Sequence, residues 1–357
     1  MVRKCSELQY GLGFPSRTPP AKGELMARNR IVVITGASSG IGRASALRFA
    51  RAGDCVVLAS RRGMALRELA EECRLQGAPG ALAVPTDTTD EDAVQALGAA
   101  ALARFGRIDV WVNSAAVSVF APFVEVPLDD FRRVIDVNLM GYVYGARAAL
   151  QVMSPQGRGV LINVSSVVGE IPQPYTAAYG MSKAAVRALG VSLRQELLLE
   201  KETNIRVVTI MPATVDTPFF RHSANYTGRQ ILAMPPVYSV DKVARTIVNA
   251  ARLPRNEIVI GAASKAMVRQ HRRHPKSLEA QMAWHVEKTH LSTHRSADIT
   301  PGTLHEPDRS PGDATATGGW HGGRRLARRR FIGSSIAAAG IAWGLLRLRS
   351  RVGPSAR

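Results

Sequence analysis

From Ile31 onward the chain alternates two textures. Short, nearly unbroken apolar runs recur: IVVIT (31–35), CVVLA (55–59), ALAV (81–84), DVWVN (109–113), VLINVS (160–165), RVVTIM (206–211) and EIVIG (257–261). A run that is apolar on both faces suits a parallel strand covered by helices on either side. Between the runs lie stretches such as GRASALRFARAG, MALRELAEECRLQG and DEDAVQALGAAALARFG. Their apolar residues follow the helical period, and each closes on a glycine that can take a left-handed cap. The alternation predicts a doubly wound α/β domain of the Rossmann type. Its sheet is parallel, with about seven strands, and the domain spans residues 29–264.

Outside that block the texture changes. Residues 1–28 form a polar, proline-containing tail without an apolar run, so no secretory signal is read there, and Met26 is a candidate start. RQHRRHPK and SLEAQMAWHVEK place a basic, helical extension over 265–291. Residues 292–323 are rich in Thr, Pro, Gly and charge, the composition of a disordered linker. Residues 324–351 hold an apolar run, FIGSSIAAAGIAWGLL, flanked by arginines. The formal charge of +19 follows this division. Residues 1–30 carry a net +4, residues 31–264 another +4, and residues 265–357 a net +11. The folded block itself gives no reason to expect nucleic acid. Cys5, Cys55 and Cys73 are few and scattered, which argues against a disulfide framework or a metal site.

Chemistry is concentrated in two places. TGASSGIG (35–42) follows the first strand and opens a helix. Gly36 is free to turn, Gly40 lets the backbone approach a pyrophosphate, and Gly42 lets helix and sheet pack closely. Ser38, Ser39 and Ile41 complete a loop whose helix N-terminus offers N–H groups to phosphate. At the end of the second strand, Ser60 stands where an NAD site carries an acid for the ribose, and Arg61 and Arg62 follow. A guanidinium matches a phosphate through two hydrogen bonds, so this sequence favours NADP(H) over NAD(H), with a solvated basic turn as the plainer alternative.

The second place is YGMSK. Tyr179 and Lys183 lie four apart in a helical segment and therefore share a face. An ammonium beside a phenol lowers the phenol's pKa and makes it a usable acid/base. Taken alone, the pair also fits an ordinary helix face.

With TGASSGIG, NSAA, NVSS and YGMSK in this order, residues 29–264 resemble the short-chain dehydrogenase/reductase family. The resemblance implies a nicotinamide cofactor and a catalytic set of Asn138, Ser166, Tyr179 and Lys183. In that reading Tyr179 exchanges a proton with the substrate oxygen. Lys183 lowers the tyrosine pKa and holds the nicotinamide ribose. Ser166 steadies the developing oxyanion, and Asn138 holds a water behind Lys183. Asp87 resembles the acid that contacts adenine. Asn113 and Ala115 match the turn after the fourth strand, where Ser114 and Ala116 depart from the family's pattern. Pro212, Val215 and Thr217 match the segment near the nicotinamide, with Ala213 in place of the usual glycine.

Val117, Phe120, Val168, Ile171, Phe219, Phe220, Ile231, Leu232 and Met234 are candidate walls for a small apolar carbonyl or alcohol. The sixteen-residue apolar run at 331–346 would span about 24 Å as a helix, short of a bilayer core of about 30 Å. Attachment to membrane lipid on the cytosolic side, docking on the enzyme, homo-oligomerisation and disorder stay open for it. The leading expectation is an NADP(H)-dependent carbonyl reductase tethered to a membrane. The alternatives are an NAD-dependent alcohol dehydrogenase and a non-catalytic nucleotide-sensing scaffold.

Overall fold

A computed structural model describes residues 29–307 and 314–320. Its first half runs β1 (Ile31–Thr35), α1 (Gly40–Arg51), β2 (Cys55–Ser60), α2 (Gly63–Leu75), β3 (Ala81–Pro85), α3 (Glu91–Phe105), β4 (Val110–Asn113) and a short β5 (Val119–Phe120). Then follow α4 (Leu128–Ile135), α5 (Gly141–Gln156), β6 (Gly159–Val164), α6 (Ala177–Leu199) and β7 (Ile205–Met211). The last elements are α7 (Phe219–His222), β8 (Ala224–Asn225), β9 (Arg229–Ile231), α8 (Val240–Ala250), β10 (Glu257–Val259), α9 (Ala262–Arg273), α10 (Pro275–Thr289) and β11 (Leu291–Ser296).

Seven strands form one parallel sheet in the order β10-β7-β6-β4-β1-β2-β3. The apolar runs lie where the sequence places them because each is buried on both faces. Every residue of β1 and of β4 is buried. Helices α1, α2 and α8 cover one face through Phe49, Leu66, Leu69 and Ile247. Helices α3, α5 and α6 cover the other through Leu97, Ala149, Met153 and Leu197. The strand order reverses between β1 and β4, which opens a crevice at their carboxyl ends.

The C-terminal extension completes the molecule. Val268, Leu278, Met282 and Val286 of α9 and α10 pack on Val167 and Ile171, beyond the end of β6. Glu170 is half-buried between Arg187 of α6 and Arg272 of α9, and Arg187 also reaches Glu257 of β10 at 3.1 Å. Strand β11 pairs antiparallel with β9.

The expectation of a disordered linker over 292–323 is corrected in its described parts. Leu304 is completely buried, packed with Val119, Val134 and Ala178. The backbone of Thr300 exchanges two hydrogen bonds with Asn225, at 2.8 and 3.0 Å. A stretch poor in apolar residues is held by long-range backbone pairing, which composition does not register. The N-terminal tail and the apolar run at 331–346 lie outside the described residues. Among the described residues, no helix is long and apolar enough to cross a membrane.

Candidate active site

A cavity of about 1070 Å³ opens at the carboxyl ends of the strands and runs from Ser60 and Asp87 at one end to Met282 and His285 at the other. The glycine loop forms its floor. Gly36 has φ +65°, and a Cβ there would sit 2.7 Å from the Cα of Ala115. A Cβ on Gly42 would fall 2.3 Å from the Gly36 carbonyl oxygen. Both positions therefore require glycine. Ser39 begins α1 without a side-chain cap, and Gly40, Ile41 and Gly42 line the cavity. This cradle of backbone at a helix N-terminus fits a pyrophosphate.

Most residues singled out from the sequence meet here. Gly36, Ser38, Ser39, Gly40, Ile41, Gly42, Ser60, Arg61, Arg62, Asp87, Ala115, Ser166, Tyr179, Lys183, Pro212, Val215 and Thr217 all line the cavity. Two do not. Asn113 is buried behind it, where it donates to Asn163 Oδ1 at 3.0 Å and accepts from Trp111 Nε1 at 2.8 Å. Asn138 sits in a π-helical turn, Asp136–Met140, between α4 and α5. Its side chain accepts from Val117 N and donates to Val117 O, both at 2.9 Å, and reaches Ser182 Oγ at 3.2 Å. Asn138 thus clips the cavity wall to α6.

Arg62 donates from Nε and Nη2 to Ser38 Oγ at 3.1 and 3.0 Å. Arg61 turns to the backbone carbonyls of Thr303 and His305, at 2.9 and 2.6 Å. Asp87 accepts from Thr89 and from Arg133 Nη2, which hold its carboxyl below the usual range against the opposing effect of burial.

At the other end Tyr179 and Lys183 lie side by side on α6, the lysine buried and the tyrosine half-buried. From the sequence alone, the lysine is expected to depress the tyrosine pKa. In the structure burial dominates. It pushes Tyr179 up to about 12, eased by a hydrogen bond with Ser166, and pulls Lys183 down to about 7. Lys183 Nζ is 5.7 Å from the Tyr179 ring centre. It donates instead to Val164 O at 3.0 Å and to the Tyr142 hydroxyl at 3.2 Å. Tyr142, four residues after Asn138, is the site residue that sequence reasoning missed. Its hydroxyl donates to Val164 O at 3.0 Å. These two acceptors take two of the three ammonium hydrogens.

Phe219 packs against Tyr179 with ring centres 5.4 Å apart, and Phe220 and Phe120 flank His290. Burial holds His290 near 4, hence neutral. Of the expected walls, Val117, Phe120, Val168, Ile171, Phe219, Phe220 and Met234 line the cavity. Ile231 is buried beneath it with Leu291. Leu232 is engaged through its backbone with His290. The extension adds Met267, Leu278, Met282 and Trp284 to the lining.

Comparison with known proteins agrees with this geometry. Residues 30–226 match the sequence profile of the short chain dehydrogenases. An uncharacterised oxidoreductase of Bacillus subtilis, YxnA, is 32% identical over 323 residues, covering 88% of this chain and 90% of its own. A short-chain dehydrogenase/reductase from Burkholderia phymatum, solved in complex with NAD, superposes with a TM-score of 0.64 at 28% identity, over 70% of this chain and 95% of that one. An alcohol dehydrogenase from Thermococcus sibiricus, solved with 5-hydroxy-NADP, gives a TM-score of 0.57 at 27% identity, over 65% of this chain and 96% of that one. A parallel sheet with a glycine cradle at its switch point, matched across more than half the chain, makes this protein a member of the short-chain dehydrogenase/reductase family, an oxidoreductase acting on CH–OH or C=O groups.

Proposed function

We propose that the protein is an NADP(H)-dependent reductase of a bulky apolar ketone. The observation that carries this reading is the convergence of Ser166, Tyr179 and Lys183 on a cavity whose far wall is aromatic and methionine-rich. The cofactor, when bound, supplies or accepts the hydride. The glycine loop would hold its pyrophosphate, Ser60 to Arg62 its adenosine ribose, and Pro212 to Thr217 its nicotinamide. Ser60 leaves no carboxylate to repel a 2′-phosphate, and Ser38 holds Arg62 at the cavity wall.

Tyr179, held as a phenol by burial, would donate its proton to the substrate oxygen. Ser166 would stabilise the charge that develops there. Lys183, as an ammonium, would favour the tyrosinate left behind.

The test is a panel of ketones and alcohols assayed with both cofactors. NADPH should be preferred by kcat/KM at least about tenfold. Tyr179→Phe should lower kcat by about 10³-fold while nucleotide affinity stays within roughly twofold, because only a proton-transferring group is lost. Ordinary turnover in that variant would end the assignment. Tighter binding of NADH would show that Arg61 and Arg62 serve only the fold.

A further inference from the structure

The C-terminal extension does more than wall the substrate end. Of its two described stretches, 300–307 lines the dinucleotide cavity through Thr303 and Pro307, and 314–320 is fastened to residues of the cavity wall. On the adenosine side, Arg61 donates to three successive carbonyls, those of Thr303 at 2.9 Å, Leu304 at 3.4 Å and His305 at 2.6 Å. Arg133 donates to Leu304 O at 3.1 Å, and His305 Nε2 meets Asp130 Oδ1 at 2.7 Å. Thr303 and Pro307 line the cavity beside Ser60 and Asp87. On the nicotinamide side, Gly318 N and Trp320 N donate to the buried carboxylate of Asp216 at 3.1 and 2.8 Å. Trp320 Nε1 donates to Thr217 O at 3.0 Å, and its ring packs edge-on to Phe220 at 5.9 Å. Between the two sides, the glycine loop itself is engaged: Gly40 N donates to Thr315 O at 2.9 Å.

The fit is close enough to constrain sequence. A Cβ on Gly302 would lie 2.4 Å from His222 O, and one on Gly318 would lie 2.1 Å from Thr217 O. Both glycines let backbone run directly on backbone.

We propose that residues 300–307 and 314–320 are a strap that completes the dinucleotide site from outside, with Arg61 as its fastening on the adenosine side, so that nucleotide exchange requires 314–320 to release. This rests on the nucleotide reading above and adds to it. Arg61 is then a positioning residue: it acts on the nucleotide by fixing the strap, and discrimination of the 2′-phosphate falls to its neighbour Arg62. A bound dinucleotide, touching both the floor and the strap, holds the strap down. With the site empty, 300–307 stays anchored through the buried Leu304, whereas 314–320 is held by hydrogen bonds to Asp216, Thr217 and Gly40 and one ring contact, so 314–320 is the part that opens.

The test uses the full chain and NADPH or NADH as probes. Nucleotide release is followed by fluorescence after mixing with excess unlabelled competitor, and hydrogen–deuterium exchange is read on peptides spanning 314–320. Trp320→Ala should speed release of both nucleotides by about tenfold or more, with little change in the ratio between them. Arg61→Ala should do the same, and Arg61→Lys should restore only part of the retention, because one ammonium cannot serve three carbonyls in a fork. The 314–320 amides should exchange more slowly when NADPH is bound.

Unchanged release rates in Trp320→Ala, together with exchange at 314–320 that is indifferent to nucleotide, would overturn the strap while leaving the nucleotide site intact. Loss of NADPH over NADH preference in Arg61→Ala, with no gain in NADH release, would return that residue to phosphate recognition and remove the fastening. A wild type that binds neither nucleotide would overturn both readings.

Discussion

A buried ammonium is costly to fold, and the cost has a sign in pH. Lys183 falls from an ordinary value of 10.5 to about 7 by burial. Between those values the unfolded chain binds more protons than the folded one, so the penalty is full below about pH 7 and fades as pH rises toward 10.5. Lys183→Met keeps the aliphatic stem and removes the charge, and Tyr142 can still donate to Val164 O. We expect it to abolish turnover yet raise stability by a few kcal/mol below pH 7, a gain that shrinks at higher pH. Thermal melts from pH 6 to 10 check this, and a variant less stable than wild type at pH 6 would refute it. At this scale the sequence was partly legible. The spacing of Tyr179 and Lys183 marked a shared helix face, and both line the cavity with Ser166. Tyr142 was not legible, because an aromatic on the buried face of α5 reads as core. Its offset of four from Asn138 was the available signal. The direction of the tyrosine shift was missed because desolvation depends on what covers α6, and that cover comes from residues far along the chain.

Between elements, the site depends on how closely α6 approaches the turn after β6. A Cβ on Gly169 would stand 2.6 Å from the Lys183 carbonyl carbon and 2.9 Å from Ala184 N, both backbone atoms that cannot rotate away. Gly169→Ala should therefore displace α6, cost about 1–3 kcal/mol, and lower kcat more than its stability change explains. Gly106→Ala is the matched control. Its φ of +78° strains an alanine by about 1–2 kcal/mol, but nothing lies within 4 Å, so activity should persist. Equal kcat in the two variants would show that the approach is not tuned for the site. The strands and the α1 glycine loop were readable because their burial is written in local patterning. The β9–β11 pairing and the packing of α9 and α10 on Val167 and Ile171 were not, since each joins residues separated by tens of positions.

For the molecule as a whole, the extension and the doubly wound domain share one core. Leu304, 0% exposed, sits with Val119, Val134 and Ala178 rather than with its own sequence neighbours. Leu304→Ala should cost about 2–5 kcal/mol and lower the melting temperature of a single cooperative transition. Two separate transitions, only one of them shifted, would mean that the extension folds apart from the sheet. The matched profile ends at residue 226, whereas the similarity to the Bacillus subtilis oxidoreductase spans 323 residues. The part of the chain that roofs the cavity is thus shared with a relative, yet lies beyond the segment that defines the family.

The hydrogen bond from Gly40 to Thr315 gives the molecule a mechanical property. Tension applied to the polypeptide downstream of Trp320 is borne first by the contacts to Asp216, Thr217 and Gly40, in that order along the chain, before any strand is loaded. Pulling on the carboxyl end therefore peels the roof from the phosphate cradle while the sheet stays whole. Any tether at that end becomes a handle on nucleotide turnover.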